Sequence, residues 1–231
     1  MNPYPKRWLV FGGSFNPVHL GHVALMQAVL ARPDVARLLV VPAGRSPFKT
    51  EAELLPAPLR WRLLQNTLAA LPKADQGRVE LVGLEMAAPP PSYTVETLAQ
   101  LVSTHPEADW WLLMGADVFQ GFARWKQAAR ILEMAALAIM ARPEEKPTAD
   151  LLPALLADWL PLLPQPWPGL LTPAQPLTTV HPTLLGSQGR PKLELWPLAT
   201  PPVSASHIRA RHDLSQVPPA ARPLLAAHWD F

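Results

Sequence analysis

The sequence predicts an α/β fold built on a parallel sheet, and three stretches carry that expectation. Trp8–Phe11 is a short apolar run that passes through Gly12 and Gly13 into a segment with Leu25, Met26, Val29 and Leu30 at helical spacing. Leu38–Val41 is apolar throughout and bounded by Pro42, the pattern of a strand covered on both faces. Trp110–Met114 is a further run of that kind, and it ends in Gly115-Ala116-Asp117. A Gly-x-Asp just past the C-terminal end of a parallel strand sits where open α/β sheets bind ligands. Strand, turn and helix in this order give a Rossmann-like doubly wound parallel sheet, to which the end of the chain adds a small C-terminal helical piece.

Composition bounds the possibilities. At 231 residues and 49% hydrophobic content, the chain has the size of one α/β domain with a sizeable core. We expect a single domain over 1–231. No run approaches the roughly 18 apolar residues of a membrane helix. The basic start, Met1–Arg7, has no apolar h-region after it, so no signal peptide is expected. The absence of Cys fits a reducing, cytoplasmic setting. Net charge is only +2, and with Lys and Arg scattered no basic stripe argues for nucleic acid. Thirty prolines exceed average usage, and they crowd between residues 143 and 202.

Taken in order, the first element of interest is Gly12-Gly13-Ser14-Phe15-Asn16-Pro17-Val18-His19-Leu20-Gly21-His22. A glycine-rich turn between strand and helix lets backbone N–H groups and a helix N-terminus face an anion. With a helix beginning near Leu20, His19 and His22 sit on adjoining turns beside that positive end. Taken alone, the pair also reads as ordinary histidines at a helix start. A zinc pair is disfavoured, because there is no Cys and no third ligand nearby in sequence. Ala43–Lys49 reads as a loop. Leu59, Leu63, Leu64, Leu68 and Leu71 mark a second amphipathic helix of structural role, with Arg60 and Arg62 on its other face. Val79–Val82 is a short strand, and Pro91–Leu98 opens a helix with Thr94 or Ser92 as its cap.

Leu137–Pro143 reads as a strand leaving the core. Residues 144–190 are rich in Pro, Leu and Trp, with a short helix expected at Asp150–Leu160. They form a surface insertion, an oligomer contact or a lid. Lys192–Trp196 alternates polar and apolar residues as a last strand should. Ser204 is placed to cap a helix that carries Ser206 and Arg209 in its first turns. Pro218-Pro219 starts a terminal helix through Leu224 and Leu225.

Residues 12–22 resemble the G-G-[ST]-F-[DN]-P-x-H-x-G-H signature of the HxGH nucleotidyltransferase superfamily, and more narrowly the nicotinate-nucleotide adenylyltransferases of bacterial NAD synthesis. Other blocks resemble the same family. Pro42–Lys49 is similar to P-x-x-x-P-P-H-K, with Lys49 on the motif's lysine and Phe48 in place of its histidine. Pro91–Leu98 resembles the block that recognises the pyridine ring and its carboxylate, Gly115–Asp117 the end of I-I-G-A-D, and Trp125-Lys126 the segment ending in W-Y. Val203–Arg209 resembles [IV]-S-[SA]-[ST]-x-I-R. The resemblance covers residues 7–142 and 193–231.

The resemblance implies catalytic roles for His19, His22, Lys49 and Arg209. It implies ATP contacts at Gly12, Gly13, Ser14, Phe15, Gly21, Gly115, Asp117, Ser204, Ser206 and Ile208. It places the nicotinate nucleotide on Asn16, Ser92, Tyr93, Thr94, Trp125 and Lys126, the last through its backbone N–H. The implied reaction joins ATP, carried with Mg²⁺, to nicotinate mononucleotide and releases pyrophosphate. The acceptor's phosphate is already a nucleophile, so direct in-line attack with inversion at the α-phosphorus is expected. The rival readings are the same chemistry on nicotinamide mononucleotide or phosphopantetheine, and a catalytically silent nucleotide-binding protein.

Overall fold

Apolar runs become buried strands, beginning with β1 (Arg7–Gly13) and β2 (Val35–Pro42). Leu9 and Val10 of β1 and Leu38–Val41 of β2 are almost wholly excluded from solvent, as covered faces require. The computed structural model describes residues 6–45, 54–141, 172–173, 183–185, 191–197, 201 and 203–229. The chain divides into two compact units, Met1–Tyr93 with Thr200–Phe231, and Thr94–Ala199.

In the first unit β1 and β2 run parallel, with Leu9 opposite Leu38 and Gly13 opposite Pro42. The other edge of β2 carries β3 (Val79–Leu81), also parallel. Between these strands run α1 (Leu20–Leu30), α2 (Ala57–Ala69) and α3 (Lys73–Gln76), and α4 (Leu84–Ala87) follows β3. The helical spacing read from Leu25, Met26, Val29 and Leu30 is the buried stripe of α1. Arg78 fastens the end of α1 to the start of β2, donating to the Leu30 and Val35 carbonyls at 2.7 and 2.6 Å.

Helix α2 departs from expectation. Its buried stripe is Arg60, Leu63, Leu64, Thr67 and Leu68, so Arg60 belongs to the core face and only Arg62 is exposed. The reason is local: the Arg60 guanidinium is enclosed by backbone carbonyls, which replace the water it gives up. The terminal helix also starts later than expected. Pro218 lies in a turn closed by the Ala221 N–H donating to its carbonyl.

The second unit holds α5 (Thr94–Thr104), β4 (Asp109–Gly115), α6 (Ala116–Phe119), a 3₁₀ turn at Phe122–Arg124, α7 (Ala128–Met134) and β5 (Ala136–Ala141). Strand β8 (Pro191–Pro197) runs parallel to β5, as β5 does to β4. Inside the expected insertion, β6 (Thr172–Pro173) and β7 (Thr183–Leu185) add an antiparallel edge to this parallel sheet, beyond β8. Trp111 and Trp196 stack with ring centroids 6.5 Å apart, and both are buried. The helix expected at Asp150–Leu160 lies outside the described residues, as do Arg142-Pro143 and most of 144–190.

The chain returns to the first unit with α8 (Ala205–Arg211), a 3₁₀ turn at Leu214–Gln216 and α9 (Arg222–His228). Among the described residues no helix is long and apolar enough to cross a membrane. The fold is the Rossmann-like α/β type, with parallel strands and flanking helices in each unit. Leu38 is fully buried and pairs with both Leu9 and Val79. Leu38→Ala should therefore lower stability by about 2–5 kcal/mol in urea unfolding; a loss under about 0.5 kcal/mol, the surface range, would contradict this account of the core.

Candidate active site

The turn after β1 is tightly specified. Phe15 adopts a left-handed backbone, φ 45°, unusual for a bulky residue and sustained only where the surroundings fix it. Its ring is buried and meets Phe11 edge-on at 5.3 Å and His22 at 4.9 Å. A side chain on Gly13 would press on the Phe15 ring at 3.3 Å, whereas one on Gly12 would meet only open space. The buried Asn16 accepts the Leu55 N–H at 2.8 Å.

Helix α1 begins where the sequence placed it, at Leu20, with His19 as its extended N-cap residue. His22 Nδ1 accepts the His19 backbone N–H at 3.2 Å, the reach-back half of a capping box with imidazole in place of a carboxylate. The two rings stack, centroids 3.6 Å apart and planes 25° apart. Gly21 leaves room for this: a Cβ there would lie 3.1 Å from His19 Nδ1 and 3.5 Å from the Pro201 carbonyl. Loss of hydration, and then the neighbouring His19, hold His22 well below the usual imidazole pKa. With Nδ1 accepting, the neutral ring carries its proton on Nε2.

The C-terminal motif lies against this turn. Arg209 Nη1 donates to the Asn16 carbonyl at 2.5 Å and to Ala205 at 3.3 Å. Ser204 occupies the N-cap position of α8, but its hydroxyl makes no capping bond. It lies 3.1 Å from the Ser206 hydroxyl instead, leaving the helix amides to other partners. Ile208 is buried. So Gly12, Gly13, Ser14, Phe15, Asn16, His19, Gly21 and His22 share one region with Ser204, Ser206, Ile208 and Arg209. Lys49 and Phe48 lie outside the described residues.

Ser92 is buried, its N–H donating to the Arg45 carbonyl at 3.0 Å and its hydroxyl to the Glu85 carbonyl at 3.2 Å. A side chain on Gly44 would collide with that same Glu85 carbonyl and reach within 2.8 Å of the Ser92 hydroxyl. Ser92 is thus tied to the loop after β2 rather than capping α5, and Thr94 is the first residue of α5 rather than its cap. Tyr93 is half-buried.

In the second unit Gly115, not Asp117, caps α6, and the exposed Asp117 lies in its first turn. A Cβ at Gly115 would meet the Asp117 carboxylate, an exposed side chain free to swing aside. Trp125 is half-buried, 5.4 Å from the Phe122 ring. The Lys126 ammonium pairs with Glu96 at 2.7 Å on the surface. Its backbone is therefore the better candidate for ligand contact.

Arg60 is the residue that sequence reading missed. Only 1% exposed, it donates from Nε to Leu55 O at 3.1 Å, from Nη1 to Ser14 O and Ala43 O at 2.8 Å each, and from Nη2 to Gly44 O at 3.0 Å. Burial pushes its pKa down from the ordinary value, but a guanidinium stays charged in proteins. Its spacing to Leu63, Leu64 and Thr67 was the available signal.

Residues 10–211 match the family model described as cytidylyltransferase-like. The chain is 36% identical over 134 residues to a probable nicotinate-nucleotide adenylyltransferase of Bacteroides thetaiotaomicron, covering 58% of this chain and 64% of that one. It is 36% identical over 156 residues to a protein of the same description from Roseiflexus sp. (strain RS-1), covering 68% and 73%. The chain spans 64% and 60% of the length of the first two curated relatives it matches. A solved structure, Plasmodium falciparum nicotinic acid mononucleotide adenylyltransferase complexed with NaAD, superposes with a TM-score of 0.69 at 15% identity, covering 98% of each chain. That likeness shows the fold.

The low pKa of His22 sets a direction for stability. Below about pH 6.5 the unfolded chain takes up a proton that the folded chain refuses until far lower pH, so stability falls as pH drops from 6.5. One such group contributes at most about 1.4 kcal/mol per pH unit. Urea unfolding at pH 7.5 and 5.5 should show a smaller acid loss for His22→Gln than for wild type; equal losses would contradict the assignment.

Proposed function

The chain belongs to the cytidylyltransferase-like family, and on that premise we propose that it transfers the adenylyl group of ATP to nicotinate mononucleotide, giving deamido-NAD and pyrophosphate. The observation that carries this reading is the Arg209–Asn16 hydrogen bond, which sets a guanidinium beside the glycine-rich turn and the His19–His22 pair. Similarity to probable nicotinate-nucleotide adenylyltransferases supports the choice of acceptor.

The chemistry asks for positioning and charge stabilisation. Two anions must be held against their repulsion, and charge spreads over the α-phosphate oxygens as the acceptor phosphate attacks. His19 holds the reacting α-phosphate, and His22 and Arg209 hold the triphosphate. Turn amides around Gly12–Phe15 and the first turn of α8 face phosphate oxygens, with Ser204, Ser206 and Ile208 at that helix start. Lys49 draws charge toward the departing pyrophosphate. We assign Mg²⁺ to the ATP phosphates, where it neutralises charge. Gly115 and Asp117 are nucleotide contacts, and Asn16, Ser92, Tyr93, Thr94, Trp125 and the Lys126 backbone receive the nicotinate nucleotide. We place the reaction in the cytoplasm.

Pyrophosphate release with ATP, measured across nicotinate mononucleotide, nicotinamide mononucleotide and phosphopantetheine, tests the acceptor. The nicotinate compound should turn over fastest; ATP binding without release on any acceptor would favour a silent binding protein. His19→Ala should keep nucleotide affinity but lose on the order of 10²–10³ in rate. Near-normal turnover would remove it from the reaction. With a chiral α-phosphorothioate, inversion is expected, and retention would point to a covalent intermediate.

A further inference from the structure

Arg60 lies in none of the motifs that carry the proposed reaction, yet its contacts converge on the backbone those motifs use. From α2 it enters the space beneath the C-terminal ends of β1 and β2, where open α/β sheets bind ligands. Four of the five guanidinium N–H donors are spent on the carbonyls of Leu55, Ser14, Ala43 and Gly44. Among the described residues no carboxylate pairs with it. A buried charge satisfied only by backbone dipoles fixes the orientation of each peptide that supplies one.

One of those peptides matters most. In a trans peptide the C=O and N–H point in opposite directions, so a Ser14 carbonyl held toward Arg60 turns the Phe15 N–H the other way. Nothing among the described residues accepts from that N–H. Phe15 itself adopts a left-handed conformation, a backbone that persists only where its surroundings over-determine it. The Arg60–Ser14 bond, at 2.8 Å, is one such determinant. The Gly13 carbonyl is taken by the Ala43 N–H at 2.8 Å, and Ala43 is itself held by Arg60.

We propose that Arg60 is the positioning residue of the phosphate cradle, locking the Ser14–Phe15 peptide so that the Phe15 N–H is presented to a phosphate oxygen of the nucleotide. The proposal rests on the reading above that the glycine-rich turn receives ATP. Arg60 acts through the backbone and touches no substrate.

The test uses inorganic pyrophosphate as the probe, so that it does not depend on which acceptor reacts. In an amide NMR titration of the wild-type chain, the Phe15 N–H should shift strongly on pyrophosphate addition. An unmoved Phe15 amide, or no pyrophosphate binding at all, overturns the proposal and needs no variant to fold. Arg60→Lys keeps the charge but not the fork; by calorimetry it should bind pyrophosphate at least about tenfold more weakly, a loss of about 1.4 kcal/mol. In the assay its KM for ATP should rise while KM for nicotinate mononucleotide stays within about twofold. A merely structural role, assayed well below the melting temperature, would leave both KM values unchanged, and that result also overturns it. A wild-type chain that binds pyrophosphate through Phe15 but transfers no adenylyl group sinks the proposed reaction and leaves this inference standing.

Discussion

A hydrogen bond between groups 193 residues apart, from the Arg209 guanidinium to the Asn16 carbonyl, is the constraint on which the candidate site depends. It brings α8 back to the turn that begins α1, so that a forked cation and two imidazoles share one region of the first unit. Bringing chain segments so far apart together costs loop-closure entropy, which grows only slowly with their separation. Burial of Ile208 and Leu225 supplies compensating apolar contact on the same returning segment.

Much of this was legible because the relevant residues obey simple periodicities. Leu38–Val41 has no polar interruption, so burial on both faces was the only economical reading, and α1 shows its stripe at 25, 26, 29 and 30. The glycine-rich turn and the two histidines are adjacent in sequence and needed no tertiary information. What escaped detection needed three dimensions. Arg60 falls on the 60-63-64-67 stripe of α2, but charged residues are almost never fully buried unless paired, and its partners are carbonyls that no sequence pattern announces. Ser204 and Ser92 looked like caps because short hydroxyl residues usually are. Their hydroxyls found competing partners, Ser206 and the Glu85 carbonyl, that lie close only after folding. The antiparallel β6–β7 edge lies in a Pro-rich stretch where neither period could be read.

The region's charge is unevenly distributed. Arg60 is permanently cationic but masked by carbonyl dipoles, while His22 is kept neutral by lost hydration and by His19. Arg209 is half-exposed, and among the described residues its bonds are to carbonyls. Among the described residues the region offers a partly exposed cation, Arg209, beside backbone dipoles and two imidazoles, and an anion bound there would lower the cost of charging an imidazole. On the proposed reading, such a site would discriminate by the number and geometry of phosphate oxygens more than by bulk attraction, since the net charge of the chain is only +2.

Gly44 carries a wider implication. The space its missing side chain would occupy is filled by the Glu85 carbonyl and the Ser92 hydroxyl, so the exit of β2 and the short helix α4 are interlocked like a tongue and groove. Bulk at the exit of β2 can be accepted only where that carbonyl and hydroxyl give way. A side chain at position 44 would therefore need a matching retreat of the Glu85 carbonyl and the Ser92 hydroxyl before the exit of β2 could hold it.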